Sequence, residues 1–185
     1  MILLLAILAI AGLAGLASGR TFRGFPAVTL RLAPLAFAGL VLQVLPLSGE
    51  AGLAALLLSF GSLFAFALVN IRAPGFVLLS LGLLLNLIVI GMNGGMPVTR
   101  EALADSGQLG SIDALETGGG NKHHLEDERS VLVPLADSIG LPRPVGQAVS
   151  VGDLCMNLGA GWFVFAAMRR RDEARAAPQA GSFTG

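Results

Sequence analysis

The sequence predicts an all-α, polytopic transmembrane helix bundle of about five spans, with a long extracytoplasmic loop that carries short helices. Three observations predict it. Of 185 residues, 54% are hydrophobic and 13% charged, against about 25% charged in an ordinary soluble domain. The apolar residues fall in runs of bilayer length, and the basic residues gather at alternate ends of those runs.

Crossing about 30 Å of hydrocarbon takes about 20 mostly apolar helical residues. Runs over residues 2–17, 32–47, 52–69, 75–92 and 149–168 meet or approach that length. The third carries no charge, and the fourth has Asn86 as its strongly polar residue. The chain therefore divides into four spans in 1–92, an outer region in 93–148, a fifth span in 149–171 and a tail in 172–185. The tail is rich in Ala, Pro and Gly and is expected to be disordered.

Orientation follows from the positive-inside rule. Arg20, Arg23 and Arg31 lie between the first two runs, Arg72 between the third and fourth, and Arg169, Arg170, Arg171 and Arg175 after the fifth. These belong on the cytoplasmic side. The other connections are Ser48-Gly49-Glu50 and residues 93–148, where Arg100, Lys122, Arg129 and Arg143 stand against eight acidic residues. The N-terminus is thereby expected outside and the C-terminus in the cytoplasm. Residues 1–17 resemble a signal peptide followed by the small Ser18 and Gly19, but their positive charge comes after the apolar run, which favours an uncleaved first helix.

Twelve basic and twelve acidic residues balance, so no overall field attracts nucleic acid. The single Cys155 lies in an apolar run and has no partner for an intramolecular disulfide. No cofactor is indicated, because there is no phosphate-binding loop, dinucleotide fingerprint, His-Glu-x-x-His or Gly-x-Ser-x-Gly elbow. The expected partner is the lipid bilayer. Small residues four apart, Ala11, Gly15 and Gly19 and then Ala51, Ala55 and Ser59, suit close helix packing. Contacts within the bundle or in a homo-oligomer satisfy that chemistry equally.

Within 93–148, Thr99 caps a short helix that Gly107 ends, and a second starts at Ser111 and stops at Gly118-Gly119-Gly120. Residues 131–139 are apolar but too short to span, so they are expected to pack on the helix ends or lie in the interface. Pro142 and Pro144 favour an extended return to the last span.

Polar groups inside spans are costly unless paired, which makes each a site candidate. Gln43, Asn86, Asp153 and Asn157 all map to the outer half of the membrane, with Asn93 seven residues from Asn86 and on the same helix face. Together they suggest an outward-facing polar ligand pocket. A structural reading stands beside it: Ser150 and Asp153 match a capping box, and Gln43, Asn86 and Asn157 suit hydrogen bonds between helices. His123, His124 and Asp127 invite a metal reading. Adjacent histidines converge poorly on one ion, so a solvated charged stretch is the competing reading.

The segments Asn93-Gly94-Gly95-Met96-Pro97-Val98, His123-His124-Leu125 with its following acids, Leu141-Pro142 and Val149-Ser150-Val151-Gly152-Asp153, in that order, resemble domain-of-unknown-function family 5317. The resemblance covers nearly the whole chain up to Arg171. The chain departs from the family's pattern between Arg129 and Ser138, where Leu132 and Leu135 occupy a stretch expected to hold an aromatic residue. What the resemblance implies is a bacterial plasma-membrane protein, with no activity attached.

Three function classes follow. The leading one is a non-enzymatic membrane protein whose outer region binds a small ligand, lipid or protein partner, because a connection of more than 50 residues is uncommon without structure or function of its own. A membrane-embedded enzyme using the His123 and His124 acidic cluster is a second. An oligomeric small-molecule transporter with a path along Gln43, Asn86 and Asn157 is a third.

Overall fold

Helices dominate the computed structural model, which describes residues 2–116 and 122–170. The glycine run at 118–120 and the tail, for which flexibility or disorder was expected, lie outside the described residues. Five apolar helices form the bundle: α1 (Ile2–Ala17), α2 (Ala33–Val44), α3 (Gly49–Val69), α4 (Phe76–Asn93) and α7 (Val151–Ala167). Two short helices, α5 (Arg100–Asp105) and α6 (Ile112–Glu116), sit in the long connection between α4 and α7. Of the apolar helices, α3 and α4 are long and apolar enough to cross a membrane, whereas α1, α2 and α7 have 16, 12 and 17 residues. Prolines truncate α2. Pro34 sets its first turn, and Pro46 disfavours helical geometry at Leu45, which is extended.

The bundle helices pack in the series α1, α7, α4, α3, α2, and no packing of comparable extent joins α1 to α2. The seam between α4 and α7 is made of glycine. Gly75 meets Gly159, and Gly82 meets Gly152, so the helices run antiparallel with two backbone-to-backbone contacts seven residues apart on each. A Cβ on Gly159 would lie 2.6 Å from the Gly75 carbonyl oxygen, and one on Gly152 would lie 2.8 Å from that of Gly82. The α2–α3 seam uses the expected small-residue stripe on α3. Ser59 is fully buried and donates to the Gly39 carbonyl at 2.7 Å, with Ala55 buried one turn away. On α1, Gly15 lies against the Met168 side chain.

Alternating helix direction puts the connections that carry Arg20, Arg23, Arg31 and Arg72 at one end of the bundle with the end of α7. There Arg20 donates to the Met168 carbonyl at 3.0 Å and stacks on the Phe165 ring. Asn70 at the end of α3 bonds both the N–H and the carbonyl of Arg31. Strands β1 (Arg20–Thr21) and β6 (Arg169–Arg170) pair antiparallel at the same end.

The opposite end is closed by the long connection, which is a folded layer. Strand β2 (Met96–Val98) pairs in parallel with β3 (His123–Leu125), in the register Met96 to His123, and β4 (Ile139–Leu141) forms a hairpin with β5 (Gln147–Val149). Thr99 caps α5 as expected, accepting from the Ala102 N–H at 3.1 Å. Val98, Leu103 and Leu125 form a small core with Ile112, Leu115 and Ala148. Met96 and Ala136 join the bundle core of Leu56, Phe60, Leu83, Val89 and Ile90, so the layer packs on the helix ends. The Leu3 N–H donates to Gln147 at 2.9 Å, which ties the start of α1 to this same end.

Candidate functional site

Where the folded layer meets the bundle there is a polar cavity of about 170 Å³, whose polar wall is Gln43, Asn86, Lys122, His123, Asp137 and Asp153 over a floor of Leu56, Phe60, Ile90 and Met96. Asn86 and Asp153 reach it from facing helices, held by one closed network. Ser150 Oγ accepts from the Asp153 N–H at 2.9 Å and donates to Asn86 Oδ1 at 2.9 Å. Asn86 Nδ2 donates to Asp153 Oδ1 at 2.8 Å, and Asp153 Oδ2 accepts from the Ser150 N–H at 3.4 Å. The expected capping box is therefore present, and the same carboxylate is also the partner of the buried asparagine. Capping and site readings meet in one residue.

Asn86 is 1% exposed, and its removal takes one hydrogen bond from each of Ser150 and Asp153. Asn86→Ala is expected to cost about 1–2 kcal/mol, measured by thermal denaturation in detergent. A double-mutant cycle with Asp153→Asn that gave simple additivity would argue against the network.

The outer wall is built by strand geometry. Successive side chains on β3 point to opposite faces, so His123 faces the polar cavity and His124 faces away. His124 lies over Gly95 and borders a separate hollow with Asn93, Asp127 and Arg129. Asp137 is placed by a parallel bridge to Val98 on the other side of β2: its N–H donates to the Pro97 carbonyl at 3.1 Å and its carbonyl accepts from the Thr99 N–H at 3.2 Å. His123 Nε2 then lies 3.5 Å from Asp137 Oδ2. The other carboxyl oxygen of Asp137 is buried without a hydrogen-bond partner among the described residues. Lys122 donates to the Gln43 carbonyl, which fastens the layer to the end of α2.

Charge is expensive here. Burial, reinforced by the nearby Asp153 carboxylate, pushes the Asp137 carboxyl up to about 8. His123 is lowered, chiefly by desolvation with Lys122 and His124 adding, against an opposing pull from Asp153. At neutral pH the pair therefore carries one proton and no net charge. Loss or gain of a proton would leave this wall with a net charge, which burial disfavours.

The sequence candidates separate in space. Gln43, Asn86 and Asp153 converge on the cavity, and Asn157 borders an apolar chamber below it that Gln43 also lines. Asn93 turns away. Its side chain bonds the Val89 carbonyl and, in both directions, the backbone of Val131, clamping the layer to the end of α4. His124 and Asp127 share one hollow while His123 lies on the polar cavity, and no group of three or more metal-binding side chains occurs among the described residues. Asp127 closes its own turn, accepting from the Arg129 N–H and the Ser130 hydroxyl at 3.0 Å each, and the Ser130 bond holds its carboxyl below the usual range. Two wall residues, Lys122 and Asp137, escaped the sequence reading. Asp137 is the one acid in an apolar stretch, Val131-Leu132-Val133-Pro134-Leu135-Ala136-Asp137, and that isolation was the available clue to burial.

Residues 21–165, which include every part of the cavity wall, match a family model. The chain belongs to the family of unknown function DUF5317. An uncharacterized protein of Thermotoga maritima is 35% identical over 117 residues, covering 62% of this chain and 63% of that protein. The chain thus spans somewhat under two thirds of the length of this relative. No solved structure matches. Family membership brings no chemistry with it, so function rests on the cavity.

Proposed function

We propose that this family member is a five-span integral membrane protein, N-terminus outside and C-terminus cytoplasmic, whose folded outer layer closes a binding cavity for a small polar group at the outer membrane surface. The observation that carries the binding reading is Asp137: a carboxyl 5% exposed, on the cavity wall, with one oxygen unpartnered. Buried polar atoms are almost always bonded, and a bound ligand supplies the missing donor.

Membrane residence is supported by the faces the bundle leaves bare. α1 buries only Gly12 and Gly15, and Leu13, Phe37 and Val44 are 66%, 72% and 80% exposed. Apolar surface this continuous is stable in lipid and not in water. A reporter enzyme fused after Arg171 is expected to be active only in the cytoplasm, and one inserted at Gly119 only outside. The reverse pattern would overturn the sidedness.

For the cavity, a panel of small polyols, amines and amino acids is tested by thermal shift. At least one is expected to stabilise the wild type and to lose that effect in Asp137→Ala, which removes both carboxyl oxygens. A second reading, acid–base catalysis in the same cavity, draws on the separation of His123 and Asp137. It predicts turnover of the bound solute that His123→Gln removes while binding persists.

A further inference from the structure

A second space lies beneath the floor of the polar cavity. Gln43 lines both it and a chamber of about 260 Å³ in the middle of the bundle, whose wall is almost wholly apolar: Leu4 from α1, Leu40 from α2, Leu63 from α3, Leu83 from α4 and Met156 from α7. All five apolar helices contribute. The helices form an open arc, with α1 and α2 its two unjoined ends. Leu4 and Leu40 line the chamber yet remain 37% and 56% exposed, so the chamber opens sideways between α1 and α2, on the flank that faces lipid if the bundle spans the membrane. An apolar chamber reached from the bilayer, capped by a polar cavity at the height where headgroups lie, has the division of an amphiphile built into it.

We infer that the two spaces are one site for a single-chain amphiphile with an uncharged, hydroxyl-bearing headgroup: the chain enters between α1 and α2 and fills the apolar chamber, and the hydroxyls bond the free oxygen of Asp137. This deepens the proposed function and rests on its reading of the cavity as a ligand site. The headgroup chemistry follows from which groups are already used. Lys122 is bonded to the Gln43 carbonyl, and Asn86, Ser150 and Asp153 satisfy one another. The unmet need is a donor to a carboxyl. A phosphate brings acceptors and negative charge to a wall where two carboxyl groups, Asp137 and Asp153, stand against one ammonium, Lys122. The two volumes together fall within the roughly 300–1,000 Å³ of ordinary small-molecule sites.

The test uses the full chain in lipid nanodiscs, read by thermal shift and native mass spectrometry. It is titrated with a monoacylglycerol, with the lysophosphatidate and the free fatty acid of equal chain length, and with glycerol alone. Monoacylglycerol is expected to bind saturably at one per chain, about tenfold tighter than either anion. Binding should weaken about tenfold in Asp137→Ala, which removes both carboxyl oxygens, and as much in Leu40→Trp, which obstructs the lateral opening at an exposed position where folding is not at risk. Ala160→Phe, which fills the chamber from α7, serves as a second block. Equal binding of all three amphiphiles, unmoved by any variant, would mean lipid merely coating the bundle and would overturn the inference. Glycerol binding as tightly as its ester, sensitive to Asp137→Ala but not to Leu40→Trp, would also overturn it while leaving the polar cavity as the site. If no amphiphile, glycerol or panel solute bound saturably, both readings would fall together.

Discussion

Gly152→Ala is expected to destabilise the protein by about 3 kcal/mol or more, at the upper end of what overpacking costs. The added methyl has nowhere to go. Its carbon would collide with Asn86 Oδ1 and lie 2.8 Å from the Gly82 carbonyl oxygen, where the obstacle is helix backbone and a hydrogen-bonded amide. Relief requires either parting α4 from α7 or breaking the Asn86 network, and each forfeits contacts or strands buried polar atoms. The seam is therefore structural and the cavity inherits its shape. Gly61→Ala is the matched control: it sits in α3, and a Cβ there meets no neighbour within 4 Å. Alanine at an open helical site should be neutral or stabilising by up to about 1 kcal/mol. Comparing the midpoints of thermal unfolding in one detergent checks both. Similar midpoints for Gly152→Ala and Gly61→Ala would show that α4 and α7 do not pack as described.

Stability should fall as pH rises from about 6.5 to about 8, by about 1.4 kcal/mol per pH unit at its steepest, and Asp137→Asn should flatten that slope. In the unfolded chain the carboxyl titrates near its ordinary value of 3.8, whereas in the fold it titrates near 8. Between these values the native state holds a proton that the unfolded state lacks. The contribution is thus complete at low pH and is lost as pH rises through 8. His123 acts in the opposite sense, because its folded value lies below 6.5 and the unfolded state binds the extra proton as pH drops below 6.5. The two slopes oppose one another below 6.5, which leaves the range from 6.5 to 8 to Asp137. Asp153 and Lys122 share the cavity wall, so the difference between wild type and Asp137→Asn is the quantity to follow. A slope identical in both proteins would mean that the carboxyl is solvated and ionised in the fold.

These two results probe features of different legibility. Helix positions could be read from the sequence to within a few residues, because a long apolar run has to bury or solvate its backbone as helix wherever it lies. The observed α3 and α4 exceed or match the expected 52–69 and 75–92 runs, and the caps at Thr99 and Ser150 were written in local spacing. Pairing was harder to see. The stripe Ala51, Ala55 and Ser59 was recognised by its four-residue repeat, but the glycines at 75, 82, 152 and 159 lie seven apart in pairs and join two helices separated in sequence by the whole folded layer.

What the sequence alone determined was local: which segments are helical, which ends carry arginine, and that Gln43, Asn86 and Asp153 are polar groups too costly to leave unpaired. The tertiary structure decided which of them meet. It split His123 from His124 by the two-residue alternation of a strand whose existence depends on pairing with β2, and it drove Asp137 from an apolar loop onto the cavity wall through a bridge to Val98. Spacing along the chain records the cost of burying each group. Only the contacts between distant segments record where the matching partner, or the missing one, is found.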